Sequence, residues 1–558
     1  MLAKHLSLIA TALITTGLAL VLPAGAARAQ SQAPAALSGT VSSAKEGLME
    51  GVVVSVKKAG STVTTSVATD EKGRFSFPAG RLTPGQYAVS IRAVGYDLEG
   101  PRSADVAAAG PSESVGITLA PTKNLAKQMS NAEWFASFPG TDNDKKALLN
   151  CVSCHDLDRI VRSQYDGDQF IDIFNRMVGY YPGSTPEHPQ RLVGNAQRSL
   201  GQGPNLRMVA EYLASVNLSK ESWSYSLKTL PRLTGRSNRF ILTEYALPRR
   251  LIQPHDVMLD EQGMVWFTHF SEQFLGKMDP KTGQVWEFPI PVLKPGYPVG
   301  TLDLGLDKAG NPWVGMMYQS GIARFDKKSE TFKTWSIPKE WQTDATQAGH
   351  LDPSFTHVDG KVWVKNSDGS QILRLDVESG KWENLGSFND PASNKRLGVY
   401  GIRADSSNNL YLLDFQSSTI GIVDAKTGKF VAWRGEIGNS RPRRGAVDEQ
   451  NRLWYAEYAG NAVGVFDPKT EKVKEWVLPT PWAQPYDVVV DKNGEAWTGS
   501  MMSDRVSRLD PKTGQYVEYQ LPKTTNIRRV FVDNSTTPVT FWVGSNHGAS
   551  IIKLEPQD

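Results

Sequence analysis

Seven times between residues 260 and 545 the chain returns to one phrase: an aspartate, a short turn, usually a glycine, and an aromatic residue closing the unit. Aligned on that aromatic, Trp266, Trp313, Trp363, Tyr411, Trp454, Trp497 and Trp542 fall in one column with gaps of 47, 50, 48, 43, 43 and 45 residues. A period of roughly 40–50 residues with strand texture is the signature of a β-propeller, one repeat per blade. Units also end in a hairpin phrase: DPKTG at 279, DKKSE at 326, DVESG at 376, DAKTG at 424, DPKTE at 467 and DPKTG at 510. Aspartate, a polar pair and glycine is turn chemistry that joins two strands. The seventh unit stops at KLEPQD, before its hairpin, and the outer strand it lacks matches FILTEYALP at 240–248. The expectation is a ring of seven blades over residues 239–558, closed by its own N-terminal strand, which removes exposed sheet edges.

Two other textures precede the repeats. Residues 36–121 alternate apolar and polar positions, as in GVVVSVKKAG and GQYAVSIRAVGY, with TDEKGRF as a turn, which predicts a small antiparallel β-sandwich. The order GTV, VVVSV, TDEKGRFSF, GQYAVSIRAVGY resembles the carboxypeptidase regulatory-like (transthyretin-like) domain, whose role is structural or adhesive. From 122 to 217 the period becomes helical, as in KKALLNCVSCHDLDRIVRSQ, DQFIDIFNRMVGYY and NLRMVAEYLASVN, and residues 218–238 read as a linker. The expected fold class is therefore multidomain and mainly β: a small β-sandwich, an all-α domain and a seven-bladed propeller.

The chain's only two cysteines stand in NCVSCH at 150–155. Two thiols three apart followed by an imidazole match the attachment motif of c-type haem, with Cys151 and Cys154 as thioether sites and His155 as an axial iron ligand. A structural zinc would need further ligands and no other cysteine exists; a thioredoxin-type dithiol needs a βαβ context. The segment resembles a class I cytochrome c domain, with NLRMVAEYLASVNLS similar to its closing helix. Met177, at a helix end before a Pro/Gly loop, is the chosen sixth ligand, with Met208 and His188 as rivals. The cofactor expected is one covalent haem c per chain, and the partner a redox protein, either a dehydrogenase or another cytochrome.

In a propeller the innermost strands converge on a central tunnel whose mouth is the usual ligand funnel. Positions eleven before and three after the aligned aromatic should face it: His255 and His269, Tyr400 and Asp414, Arg443 and Glu457, Tyr486 and Ser500. Small insertions make Met316, His350, Asn366, Arg529 and Ser545 softer assignments. These groups either bind a small molecule or satisfy one another across the tunnel. The phrases QPHDVMLDEQGMVWFTH and LWYAEYAGNAVGVFD resemble the streptogramin B (virginiamycin B) lyase family, seven-bladed propellers that open a cyclic depsipeptide by elimination with magnesium. The resemblance implies a metal-holding glutamate and a histidine base fourteen residues earlier. Glu457 fits the glutamate, but Arg443 stands in the histidine's place, and an arginine does not abstract a proton at neutral pH. His255 keeps the PH phrase, yet its partner is His269.

The opening residues, with Lys4, an apolar run from Leu6 to Leu22 and Ala27-Arg28-Ala29, read as a secretory signal peptide over 1–29, which places the mature protein in the periplasm without a membrane span. Removing Lys4 and Arg28 takes the formal charge from +3 to +1 (3 minus 2), which gives no reason to expect nucleic acid as a partner. The function expected is electron transfer by a c-type haem protein whose propeller binds an oxidisable substrate or docks a dehydrogenase. The alternatives are a C–O lyase or hydrolase in the funnel, with His255 or His269 as base, or a binding scaffold. A quinoprotein with PQQ is a weaker fourth, since those enzymes usually have eight blades and vicinal cysteines are absent here.

Overall fold

The computed structural model describes residues 35–108, 114–194, 196 and 206–558. The signal-peptide segment 1–29 lies outside the described residues.

The recurring aspartate explains why the aromatic column repeats. In the first blade Asp260 accepts hydrogen bonds from the backbone N–H groups of Gln262 and Met264, both at 3.0 Å, and from the indole Nε1 of Trp266 at 2.9 Å. Asp307, Asp448 and Asp491 hold Trp313, Trp454 and Trp497 in the same way, at 3.0, 2.9 and 2.9 Å. One carboxylate thus satisfies a tight turn and aims a large ring between two blades, where all seven aromatics are buried.

Six four-stranded antiparallel sheets follow one another from Pro254 to Gln520. A seventh set of four strands is completed by Phe240–Ala246, which pairs antiparallel with Ser550–Pro556 at the other end of the chain. The innermost strands, from Pro254–Leu259 round to Ile527–Asp533, contact one another in sequence, and the last meets the first.

The N-terminal sandwich is continuous with this ring. Its strand Val63–Ala68 pairs antiparallel with Phe240–Ala246, so one eight-stranded sheet runs from the innermost strand of blade seven to Ser103–Val106. The cores interlock across the seam: Ile241 packs among Val54, Val56, Phe75 and Phe77 of the sandwich, while Val53 and Ala68 pack among Trp497, Phe541 and Leu554 of the propeller. The outer edge of blade seven is thereby covered rather than left as a pairing template.

The expectation of an all-α domain over 122–217 is overturned. The described residues hold six helices in all: α1 (Asn131–Ser137), α2 (Asp142–Lys146), α3 (Asp158–Val161), α4 (Gly167–Met177), α5 (Leu206–Val216) and α6 (Thr356–Asp359). The longest has 11 residues, and the run Ala147–Ser153 that carries Cys151 is a 3-10 helix. No separate cytochrome c domain is evident, and the chain is mainly β. The helical-period apolar residues are real, but their partner is the propeller: Trp134, Phe135, Leu148, Leu149 and Val152 share one core with Tyr458, Tyr486, Met501 and Met502. A face that buries itself against another unit shows the same periodicity as one closing its own bundle.

Replacing Asp491 by Ala removes three accepted hydrogen bonds at a buried turn. The expected cost is roughly 2–3 kcal/mol, read as an earlier unfolding transition in denaturant.

Candidate functional site at the propeller mouth

Each of five innermost strands carries a bulge that turns two consecutive residues toward the axis. The register shifts fall between Pro254 and Val257, Val399 and Ile402, Pro442 and Gly445, Pro485 and Val488, and Ile527 and Val530. A bulge re-aims side chains that strict alternation would send to opposite faces. The doublets are His255-Asp256, Tyr400-Gly401, Arg443-Arg444, Tyr486-Asp487 and Arg528-Arg529.

The second members other than Gly401, with Asp303 and Arg403, form a paired lower layer. Arg444 Nη1 lies 3.1 Å from both Asp256 and Asp303, Arg529 Nη1 is 3.2 and 3.1 Å from the same two carboxylates, and Arg403 Nη1 is 3.8 Å from Asp303. Arg444 is completely buried, and burial alone would raise the acids. The arginines outweigh it and hold Asp256 and Asp303 below the ordinary carboxylate range, whereas at Asp487 burial wins and the pKa rises.

The first members form an upper layer of different character. Tyr400 and Tyr486 hydroxyls are 2.6 Å apart, Tyr486 is 3.1 Å from His255 Nε2, and His255 Nδ1 is 2.6 Å from Asp256. Burial pushes the His255 pKa down to about 3, against the opposing pull of Asp256, so the imidazole is neutral. Its one proton sits on Nδ1 facing the carboxylate, which makes Nε2 an acceptor and fixes the direction of the chain: Tyr400 donates to Tyr486, and Tyr486 to His255. Burial would raise the Tyr400 phenol, but Arg443 and Arg444 outweigh it and bring it down to about 8. Ionising Tyr400 reverses the Tyr486 hydroxyl. The row is therefore a two-state proton relay, capable of acid–base work near neutral pH.

The CVSCH segment is fastened directly over this layer. Tyr458 donates to Leu149 O at 2.8 Å, Asn526 Nδ2 to Val152 O at 3.1 Å, and Arg528 Nη2 to Ser153 O at 2.6 Å. Cys151 and Cys154 are both half-buried. His155 Nδ1 lies 3.0 Å from Asp156 O, which orients the ring and leaves Nε2 without a hydrogen-bond partner among the described residues. Two thiols three residues apart, followed by an imidazole whose Nδ1 is engaged by a backbone carbonyl, are the donor set of a covalent haem, so these residues fit the group. Met177 ends α4, half-buried against the same core. Met208 is 62% exposed on α5, pointing away from that core, and His188 lies in a loop where Thr185 and His188 bond each other's backbone.

Positions three after the aromatic do not face the axis. His269 sits 3.2 Å from Glu287 and 3.6 Å from Glu272 beside Arg249; His269 and Arg249 together draw Glu272 down to about 2. Asp414 accepts from Gly398 N at 2.8 Å, and Ser500 bonds Ala483 O, each within its own blade. Glu457 is fully buried with its carboxyl turned to Glu475, and burial, then Glu475, push it up to about 9. Among the described residues no three histidine, cysteine or acidic side chains cluster to hold a metal ion. Of the softer assignments, His350 does enter the funnel, 3.6 Å from Asp303, with its ring 4.9 Å from that of Tyr400. In blade seven the upper-layer residue is Arg528, one place before the predicted Arg529. The missed residues Asp256, Arg444, Asp487 and Arg528 had a signal: polar doublets in QPHDV, RPRRGAV, QPYDVVV and NIRRVFV, where an alternating strand would carry one polar residue.

The fold is a lyase-like β-propeller with a covering segment over its mouth. Residues 388–557 match the virginiamycin B lyase family, and residues 36–120 match the carboxypeptidase regulatory-like domain. Among solved structures, virginiamycin B lyase from Staphylococcus aureus is 21% identical, with a TM-score of 0.48 over 56% of this chain and 99% of that one. A streptogramin B lyase is 22% identical, with a TM-score of 0.49 over 58% and 99%. The extracellular domain of a one-component system from B. thetaiotaomicron is 16% identical, with a TM-score of 0.42 over 54% and 40%. Comparison with curated proteins gives no match.

Two predictions follow from the geometry. In Tyr486→Phe the phenolate of Tyr400 loses a donor, so its titration, followed by near-ultraviolet absorbance, moves upward from about 8. For Glu457, the folded form binds more protons than the unfolded form between about 4.5 and about 9, so its contribution to stability is present below that window and lost as pH rises through it. Glu457→Gln should flatten this loss and exceed the parent by roughly 1–3 kcal/mol above pH 9, measured by denaturant unfolding across pH.

Proposed function

We propose that the protein is an exported, periplasmic c-type haem protein of electron transfer, carrying its haem at the mouth of a lyase-like propeller. The observation that carries this reading is the placement of Cys151, Cys154 and His155 over the Tyr400–Tyr486–His255 relay, held there by Tyr458, Asn526 and Arg528. Cys151 and Cys154 would hold the group through thioether bonds, and His155 and Met177 would be its iron ligands. A bound haem supplies one-electron chemistry at this position. The chain's own residues supply the rest. Aromatic and aliphatic side chains line the site, Tyr400 holds or releases a proton near neutral pH, and the Tyr486 hydroxyl turns between His255 and Tyr400 as it does so. Oxidation of an organic substrate releases protons as well as electrons, so a proton relay beneath an electron carrier suits a small oxidisable molecule entering the funnel; a dehydrogenase or another cytochrome is the partner that exchanges electrons with it.

A second reading, elimination in the funnel, is favoured by one observation only: Tyr400 is a depressed phenol able to act as a base. The lyase family's own pair is broken, since Arg443 replaces the base and Glu457 is turned to Glu475, away from the axis.

The expected outcome is a sharp α band in the reduced-minus-oxidised spectrum of the exported protein, abolished in Cys151→Ser/Cys154→Ser. A featureless difference spectrum contradicts the proposal. Under the second reading, Tyr400→Phe abolishes an elimination that the double cysteine variant retains.

A further inference from the structure

The lower layer pairs three arginines with three aspartates; the upper layer has cations and no anion. Arg443 is 5% exposed, Arg528 3% and Lys365 5%, and none forms an ion pair among the described residues. Arg443 is caged by aromatic rings, with its guanidinium carbon 4.1 Å from the Tyr486 centroid, 4.5 Å from Tyr458, 4.7 Å from Tyr400 and 5.1 Å from Phe415. Its polar contacts are weak ones, Nη1 to the Met501 sulfur at 3.2 Å and Nη2 to the Tyr400 hydroxyl at 3.3 Å, and Nε has no partner. Arg528 reaches only neutral oxygens, Asn526 Oδ1 at 2.5 Å and Ser153 O at 2.6 Å. The Lys365 ammonium lies 5.6 Å from the Tyr400 centroid, and no hydrogen bond to it is found among the described residues.

Buried charges are ordinarily paired, because leaving them unpaired forfeits hydration without recompense. His255 and His350 add no negative charge. The group that could is Tyr400, as phenolate. Three cations above a layer that matches three arginines with three aspartates mean that an anion belongs here. The contacts Arg443 makes are with a sulfur, a phenol and ring faces, none of them an anion, and a planar carboxylate matches an arginine edge through two parallel hydrogen bonds.

We propose that Arg443, Arg528 and Lys365 form a carboxylate-binding site at the propeller mouth, directly beneath the CVSCH segment. The carboxylate has two sources with the same chemistry: a propionate of a haem held by that segment, or a small organic acid entering the funnel. The first source rests on the haem reading; the site itself does not.

The test uses the full mature chain in two forms, as exported and as Cys151→Ser/Cys154→Ser, titrated with succinate by calorimetry. The expected result is that the cysteine variant binds succinate, and that adding Lys365→Met or Arg443→Gln weakens binding roughly tenfold or more. Lys365→Met guards against Arg443→Gln failing to fold, which thermal melting would reveal. If the exported form carries haem and no longer binds succinate, the propionate is the occupant; if it still binds, a free acid is. Absence of succinate binding in the cysteine variant, or binding unaltered by Lys365→Met, overturns the proposal and leaves the Tyr400 phenolate as the counter-charge. Should the exported chain prove to lack haem, the succinate titration still decides the site.

Discussion

Three hydrogen bonds from the propeller rim to the backbone of one short 3-10 turn organise the functional end of this molecule. Tyr458, from blade five, and Asn526 and Arg528, from blade seven, fix Leu149, Val152 and Ser153. Through them, the described residues of 122–194 and 206–217 are a cover on the ring rather than a tethered module, and their apolar face completes a core that the propeller begins with Tyr486, Met501 and Met502. The loop after α4 adds a second attachment, where Tyr181 donates to Phe270 O at 2.6 Å and Gln190 Nε2 bonds Ser271 O and Val299 O at 2.9 and 3.0 Å.

Rigidity at the mouth depends on rigidity elsewhere. The ring closes by pairing its first strand with its last, and the sandwich then extends that sheet by four further strands. Arg92 of the sandwich adds a buried ion pair with Asp504 in blade six at 2.7 Å. Sandwich, ring and cover therefore meet through shared cores and shared sheet, and the relay of tyrosines and histidine inherits fixed geometry from all three.

Much of the ring was legible because it is built from local rules. An aspartate that caps a turn and bonds an indole leaves the same trace in every blade, and KLEPQD with FILTEYALP betrays the closure. His255, Tyr400, Arg443 and Tyr486 were legible as axis residues for the same reason, since they keep a constant offset from the aromatic. His269, Asp414 and Glu457 keep a constant offset too, but the strand end turns them into their own blades, and offset alone does not carry direction. Arg528 was missed by one place because blade seven is longer between bulge and Trp542. The all-α domain was misread because helical periodicity reports that a face is buried without reporting what buries it; the answer lies in contacts more than 300 residues apart in sequence, such as Tyr458 with Leu149.

The charge pattern ties these parts together. Below, acids and arginines cancel across the axis; above, positive side chains and a depressed phenol stand unbalanced beneath two thiols and an imidazole. A site of this kind is costly to hold unless something enters it. The most direct check is the intact mass of the mature protein recovered from a host with c-type haem ligation machinery. The account predicts the chain plus one covalently attached haem; the mass of the bare chain would contradict it.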